Sequence, residues 1–286
     1  MKQYSIEAPG FDLELTMTCG QTFCWHRMDG ELYGSGPGKF YTFRKGEPLI
    51  VEQEEDTVFA RTELSRAEIG KALGLHHDLD SIFSTFPHDE RVEKAREELY
   101  GLRIVRDEFF PCLISYLCSP QMRIPRIKQM HNDIAREYGE TVEVDGCELL
   151  RFPSSGELSG ATEEELRDLG VGYRAPYIVR STEMFRNGFD PGEVENMRYE
   201  NAREELKKFH GVGDKVADCV ALFSLGFTEA YPLDTWALKA VKKHYPELHS
   251  ERYSEASKNL REHFGEHAGY AQEYLFHAAR NDIIEV

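Results

Sequence analysis

The hydrophobic pattern changes period about a third of the way along the chain. In the first ninety or so residues, apolar positions alternate with polar ones or are broken by glycine and proline. In FDLELTMT, Phe11, Leu13, Leu15 and Met17 fall at every second residue, the spacing of a half-buried strand. The stretch ELYGSGPGKFYTFRKGEPLIVEQ follows as strand segments punctuated by turns. SRAEIGKALG and RVEKAREELYGL then adopt helical spacing with strong helix formers.

From about residue 105 the helical signals repeat. Pro111 fits a first-turn position before CLISYLC, which is apolar all round and so reads as a buried helix. Ile127, Met130, Ile134 and Tyr138 mark the next apolar face, ended by Gly139. Thr162 and Glu165 have capping-box spacing, with Gly170 ending that helix. Asp234 precedes Ala237, Leu238 and Val241, and the tail YAQEYLFHAAR carries Ala271, Tyr274, Leu275 and Ala278 on helical spacing. There is no internal repeat or low-complexity tract. The pattern predicts an α+β chain: an N-terminal antiparallel β-sheet domain over 1–95 packed on a mainly helical domain over 96–286.

Composition narrows the function classes. The 286 residues can bury a substantial core and hold two or three domains. No stretch approaches a membrane span and the start lacks a signal peptide's apolar run. We therefore expect a cytoplasmic protein, nucleoid-associated if prokaryotic, with no membrane partner. Six cysteines, at 19, 24, 112, 118, 147 and 219, make no CxxC pair and no zinc spacing, so they read as buried thiols in a reducing compartment. The net charge of −17 argues against gripping nucleic acid by bulk electrostatics. Locally the balance differs. Residues 119–128 carry Arg123, Arg126 and Lys128 against no acid, and residues 201–245 hold seven basic side chains against six acidic ones.

The chemistry concentrates in FHGVGDKVADCV (209–220). Gly211 and Gly213 allow a tight turn between two helical stretches. Such a turn presents free backbone N–H groups that bind an anion without net positive charge, and a DNA phosphate is the natural ligand. An ordinary helix corner using glycine for close packing is the other reading. Lys215 sits just beyond, in a helix's first turn, where the macrodipole opposes a cation and favours an uncharged amine. Nineteen residues on, Asp234 in YPLDTW suits a helix N-cap. Together, a neutral amine could attack a sugar C1′ while a carboxylate stabilises the cationic sugar that develops as a base leaves. Cys219, four residues after Lys215 on the same face, reads by itself as core.

LKKFHGVGDKVADCVALFSLG followed by YPLDTW resembles the helix-hairpin-helix DNA glycosylases, and K-V-A-D-C is similar to the 8-oxoguanine DNA glycosylases among them. TCGQTFCW, LISYLCSPQMRIPRI, LGVGYRAPYI and GYAQEYLF resemble that family's motifs in chain order, from about residue 11 to 276. The resemblance implies a bifunctional glycosylase and AP lyase acting as a monomer on duplex DNA containing 8-oxoguanine, opposite cytosine by preference, with no cofactor and no metal. It implies Lys215 as the nucleophile and Asp234 as the catalytic carboxylate. Gly20 would offer its carbonyl to N7–H, Gln272 would bond the Watson–Crick edge, and Phe276 and Cys219 would sandwich the flipped base. Tyr173 would wedge into the duplex, with Arg126 and Arg174 on the estranged cytosine. Gln121, His210, Gly211, Val212, Gly213 and Trp236 complete the implied DNA contacts.

Three positions depart from the eukaryotic pattern: Gln121 for an asparagine, Trp236 for a histidine and Phe223 for a methionine. No cysteine quartet follows the hairpin, which argues against the iron–sulfur branches of the superfamily. Two rivals are an alkylated-base glycosylase, which lacks the lysine, and a non-catalytic damage binder, against which the retained Lys215 and Asp234 speak.

Overall fold

The computed structural model describes residues 1–28 and 38–286. Among them, five strands form one antiparallel sheet: β1 (Lys2–Glu7), β2 (His26–Arg27), β3 (Phe40–Arg44), β4 (Glu47–Glu54) and β5 (Thr57–Thr62), in the order β1-β5-β4-β3-β2. The expected strand segments over 31–53 are thus met by β3 and most of β4, while their beginning, Glu31–Pro37, lies outside the described residues. Lys45 and Gly46 both have positive φ at the β3–β4 connection, the geometry a two-residue hairpin turn needs. On β5, Val58, Ala60 and Thr62 point inward and alternate with more exposed neighbours. Trp25, Leu49, Val51, Val58, Ile69 and Leu73 share the core beneath this sheet.

FDLELTMT is not a strand. Leu13–Thr18 is a helix, capped by Asp12, whose side chain accepts from the Leu15 amide at 2.8 Å. The buried positions are Leu13, Thr16 and Met17, a helical face that includes one polar residue. Thr16 is buried because its hydroxyl accepts from the Arg103 amide at 3.1 Å. Counting Thr16 as polar and outward produced the period of two.

The helical signals fare better. Ser65 and Thr162 each form a full capping box, with Glu68 and Glu165. Phe109–Leu117 is buried on every side, with Pro111 in its first turn. Ile124–Tyr138 ends at Gly139, and Ala268–Arg280 forms the last helix. These helices and their neighbours pack around a second, larger core that includes Leu113, Met130, Ile134, Val220 and Tyr274. A further hairpin, β6 (Glu140–Val144) with β7 (Cys147–Arg151), turns at Asp145-Gly146. It leaves Cys147 exposed, so five of the six thiols are buried rather than all of them.

The segment after the first helix joins the two cores. Trp25 belongs to the sheet core, whereas Cys19 and Phe23 belong to the helical one. Gln21 staples this crossing: its amide donates to Thr16 O and Arg103 O, and its Oε1 accepts from the Val105 amide. Lys128 is buried here too, with Nζ donating to the carbonyls of Phe23 and Trp25. Burial pushes its amine down to about 8. The basic cluster of 119–128 therefore presents two arginines outward, not three cations.

The hairpin joins helix Tyr199–Leu206 to helix Asp214–Val220, and a π-helical turn, Ala221–Leu225, continues the second. Phe209 and Val212 anchor the turn in the core. Asp218, wholly buried, fixes the second helix by accepting from Tyr199 Oη (2.7 Å), Arg203 Nε (2.7 Å), Tyr253 Oη (2.8 Å) and Ser257 Oγ (3.4 Å). Removing one member of a buried ion pair typically costs about 3–5 kcal/mol. Asp218→Ala should lower stability by about that much in urea denaturation. A loss below about 1 kcal/mol would show that this network is not structural.

Candidate active site

Segments distant in the chain converge on one cleft of about 1100 Å³. Its walls include Gly20, Gln121, Gly211, Gly213, Lys215, Cys219, Asp234, Trp236, Gln272 and Phe276, ten of the fifteen residues singled out by sequence. Phe223 lines it as well, stacked on Tyr116 with ring centroids 5.7 Å apart.

Lys215 is the second residue of the hairpin helix and is half-buried. Its Nζ lies 3.1 Å from Ser119 Oγ, to which it donates, and 5.2 Å from the centre of the Tyr116 ring. Asp234 caps helix Thr235–His244, its Oδ1 accepting from the Ala237 amide at 2.7 Å. The capping role is real, and it does not consume the residue. Burial pushes the Asp234 carboxyl up from its usual range, opposed by the Ala237 amide, the Lys215 side chain and the Trp236 amide. Cys219 is buried and its thiol is pushed up to about 12 by burial, so it serves the wall as a neutral group.

Gly20 has φ +108, and a Cβ there would lie 2.6 Å from Ile124 Cδ1 and 2.9 Å from Arg280 Nη1. Only glycine fits. The backbone around it is held, with Cys19 O accepting from Arg280 Nη1 at 2.7 Å and Gln21 O from Tyr116 Oη at 2.6 Å. Gln272 is 4% exposed, and its Oε1 has no partner among the described residues. A buried acceptor left unpaired is costly, and a ligand able to donate to it removes that cost.

The two hairpin glycines do different work. Gly211 has φ +88 and a Cβ would collide with the Tyr177 ring, whereas a Cβ on Gly213 would meet nothing. Close packing thus explains Gly211, and open space for a ligand's approach is left at Gly213. Lys207 and Lys208 are engaged by Glu204, Asp214 and Glu205.

The other five residues lie off the cleft lining, four of them at its border. Tyr173 is 53% exposed, edge-on to Tyr177 at 6.1 Å, and Tyr177 is edge-on to His210 at 5.0 Å. This aromatic ridge runs from the 170–174 loop to the hairpin. The Arg174 guanidinium lies 4.3 Å from the Tyr173 ring centre, 2% exposed, and donates to Pro120 O. Arg126 Nη2 donates to Gly170 O at 3.0 Å. In the free protein both arginines therefore bind the 119–126 and 170–174 loops to each other. Val212, the fifth, is buried in the core. Gln121 is exposed with φ +60, a conformation unusual for its type. Trp236 carries Lys239 Nζ 4.4 Å from its ring centre.

Sequence reasoning missed Ser119, Tyr116 and Glu273. The first two sit in an apolar helix and its end, with no local sign that Lys215, far along the chain, would be their partner. Glu273 is 2% exposed in the cleft wall, and its signal was a charge within the otherwise buried tail helix. Among the described residues, no three His, Cys, Asp or Glu side chains form a group that could hold a metal ion.

Residues 3–113 match the family model of the 8-oxoguanine DNA glycosylase N-terminal domain. A "Probable N-glycosylase/DNA lyase" of Methanothermobacter thermautotrophicus is 30% identical, covering 98% of this chain and 97% of its own. The N-glycosylase/DNA lyase OGG1 of Arabidopsis thaliana is 32% identical over 92% of this chain and 76% of its own. Among solved structures, the Clostridium acetobutylicum 8-oxoguanine glycosylase/lyase, in complex with duplex DNA containing cytosine opposite to 8-oxoG, superposes with a TM-score of 0.85 at 28% identity, covering 99% of each chain. Held against the cleft and its lysine, these likenesses carry one conclusion: the chain belongs to the 8-oxoguanine DNA glycosylase family of N-glycosylase/DNA lyases.

Proposed function

We infer that the cleft excises 8-oxoguanine from duplex DNA and then cleaves the strand, as a bifunctional glycosylase/lyase in base excision repair. The observation that carries this reading is the amine of Lys215 and the carboxylate of Asp234 in the walls of one cleft. Each proposed step uses groups already described. The Lys215 nitrogen forms a bond to C1′, and the C1′–N9 bond breaks with its electron pair leaving on the base. Asp234 stabilises the positive charge that develops on the sugar. The proton lost from the nitrogen of the new C1′–N bond passes to the departing base. The C1′–O4′ bond then breaks, its electron pair leaving on O4′, which takes a proton from water, to give a protonated Schiff base. Removal of a C2′ proton then expels the 3′ phosphate.

Base selection falls to the groups around the amine. The Gly20 carbonyl suits N7–H, present in 8-oxoguanine and absent from guanine, and the unpaired Gln272 Oε1 suits a donor on the Watson–Crick edge. Cys219 and Phe276 supply apolar faces for stacking, a common way to hold a flipped base. Tyr173, exposed at the ridge, suits a wedge into the duplex. The hairpin from His210 to Gly213, with Gln121 and Trp236 beside it, suits backbone contact. An alkylated-base enzyme would leave Lys215 and its Ser119 partner unexplained.

Incubation with duplexes containing 8-oxoguanine opposite each base, with borohydride present, tests the assignment. Wild type should form a trapped covalent complex, and Lys215→Gln should lose both base release and trapping while still binding damaged DNA. Full excision by that variant would overturn the mechanism. Asp234→Asn keeps a good N-cap, so its stability should hold within about 1 kcal/mol while excision falls on the order of 10²-fold.

The hairpin glycines should separate in the same assays. Gly211→Ala should lower thermal stability, by about 1 kcal/mol for positive φ alone and more for the overlap with Tyr177. Gly213→Ala should leave stability near wild type and weaken DNA binding.

The cytosine structure of the Clostridium relative supports the same opposing base here. Each lost charged hydrogen bond costs about 1.5–3 kcal/mol, roughly 10- to 150-fold. Single-turnover excision should therefore favour cytosine over adenine, and Arg126→Ala and Arg174→Ala should each erode that ratio. Arg174→Ala should also destabilise the free protein, since its buried side chain ties two loops together. Equal slowing of all pairs by both variants would make the arginines phosphate clamps.

A further inference from the structure

Glu273 follows Gln272 on the last helix and has no part in the chemistry above. Its carboxyl is buried in the cleft wall, Oε1 has no partner among the described residues, and the group lies against the thiol of Cys19, the residue before Gly20. We propose that Glu273 determines specificity: its carboxylate sets negative charge behind the Gly20 edge of the base site and so favours a purine carrying N7–H over guanine, whose N7 is an acceptor. This rests on the assignment of the cleft to 8-oxoguanine.

The chemistry follows from what each purine presents. An ionised carboxylate attracts the N7–H of 8-oxoguanine and repels the N7 lone pair of guanine. A protonated carboxyl can donate, so it loses that preference. Burial pushes Glu273 up to about 7, and Asp234 adds to the rise, while the Cys19 contact and Arg280 oppose it. Tyr116, on a third helix, also faces it. The folded protein thus holds this proton to higher pH than the unfolded chain, so ionisation costs stability as pH rises from the ordinary 4.5 through about 7. Glu273→Gln keeps the shape without that cost, so it should be no less stable than wild type at pH 8.

The readout is the ratio of dissociation constants for duplexes bearing guanine or 8-oxoguanine at one position, measured in the non-cleaving Lys215→Gln background from pH 6 to 8.5. With Glu273 present, discrimination should rise with pH by about tenfold, the value of one modest charged hydrogen bond. With Glu273→Gln it should stay flat at the lower value. Equal ratios and equal pH slopes in the two proteins would overturn the inference while leaving the glycosylase reading intact. No preference for 8-oxoguanine at any pH, together with no base release by wild type, would overturn both.

Discussion

The site depends on one buried carboxylate. Asp218 lies three residues after Lys215 and one before Cys219, so whatever fixes it fixes them. Tyr199 and Arg203 reach it from the helix before the hairpin, and Tyr253 and Ser257 from a helix after Asp234. Tyr253 links the two halves of the chemistry. Its hydroxyl donates to Asp218 Oδ2 at 2.8 Å and accepts from the Leu233 amide at 3.1 Å. A hydroxyl can do both at once. Amine and carboxylate are thus positioned through the same network, although nineteen residues separate them in the chain.

An acidic protein on DNA looks like a contradiction only at the level of net charge. Many of the basic side chains near the hairpin are already spent: Lys207 and Lys208 on nearby acids, Arg203 on Asp218 and Asp214, Lys128 inside the core. What remains is local. Backbone amides at an open glycine, two arginines at the loop junction and Lys239 over Trp236 are the groups that the proposed DNA contact would use without a basic surface. Binding built on few phosphates is also less sensitive to salt.

Features set by neighbours in the chain were legible before folding. Capping boxes, the buried helix around Pro111 and the glycine hairpin all follow from residues within four positions of one another, and five ordered motifs pointed to the family. What was not legible is what burial creates. Thr16 looked polar and outward until its hydroxyl was needed by Arg103, which turned a strand into a helix. Lys128 counted toward a local positive charge until two carbonyls took it inside. Ser119 gained a role only when the fold brought Lys215 to it, and Cys147 stayed outside because a hairpin turn put it there. A residue's partner across the fold carries no signature in its own neighbourhood.

Asp234 shows why structural and chemical readings need not compete. A carboxylate has two oxygens and about four acceptor sites, and the Ala237 amide occupies only part of that capacity. The cap even serves the chemistry. In a half-dry cleft an unassisted carboxyl would tend to keep its proton, and a neutral acid could not stabilise a cationic sugar. The amides of the helix start and the nearby Lys215 side chain counter that tendency. In the proposed mechanism the Lys215 amine attacks C1′ as a neutral group. The positive charge that Asp234 then faces is the one developing on the sugar and later on the Schiff base. The helix start therefore holds the carboxyl group in place and works against the rise that burial imposes on it.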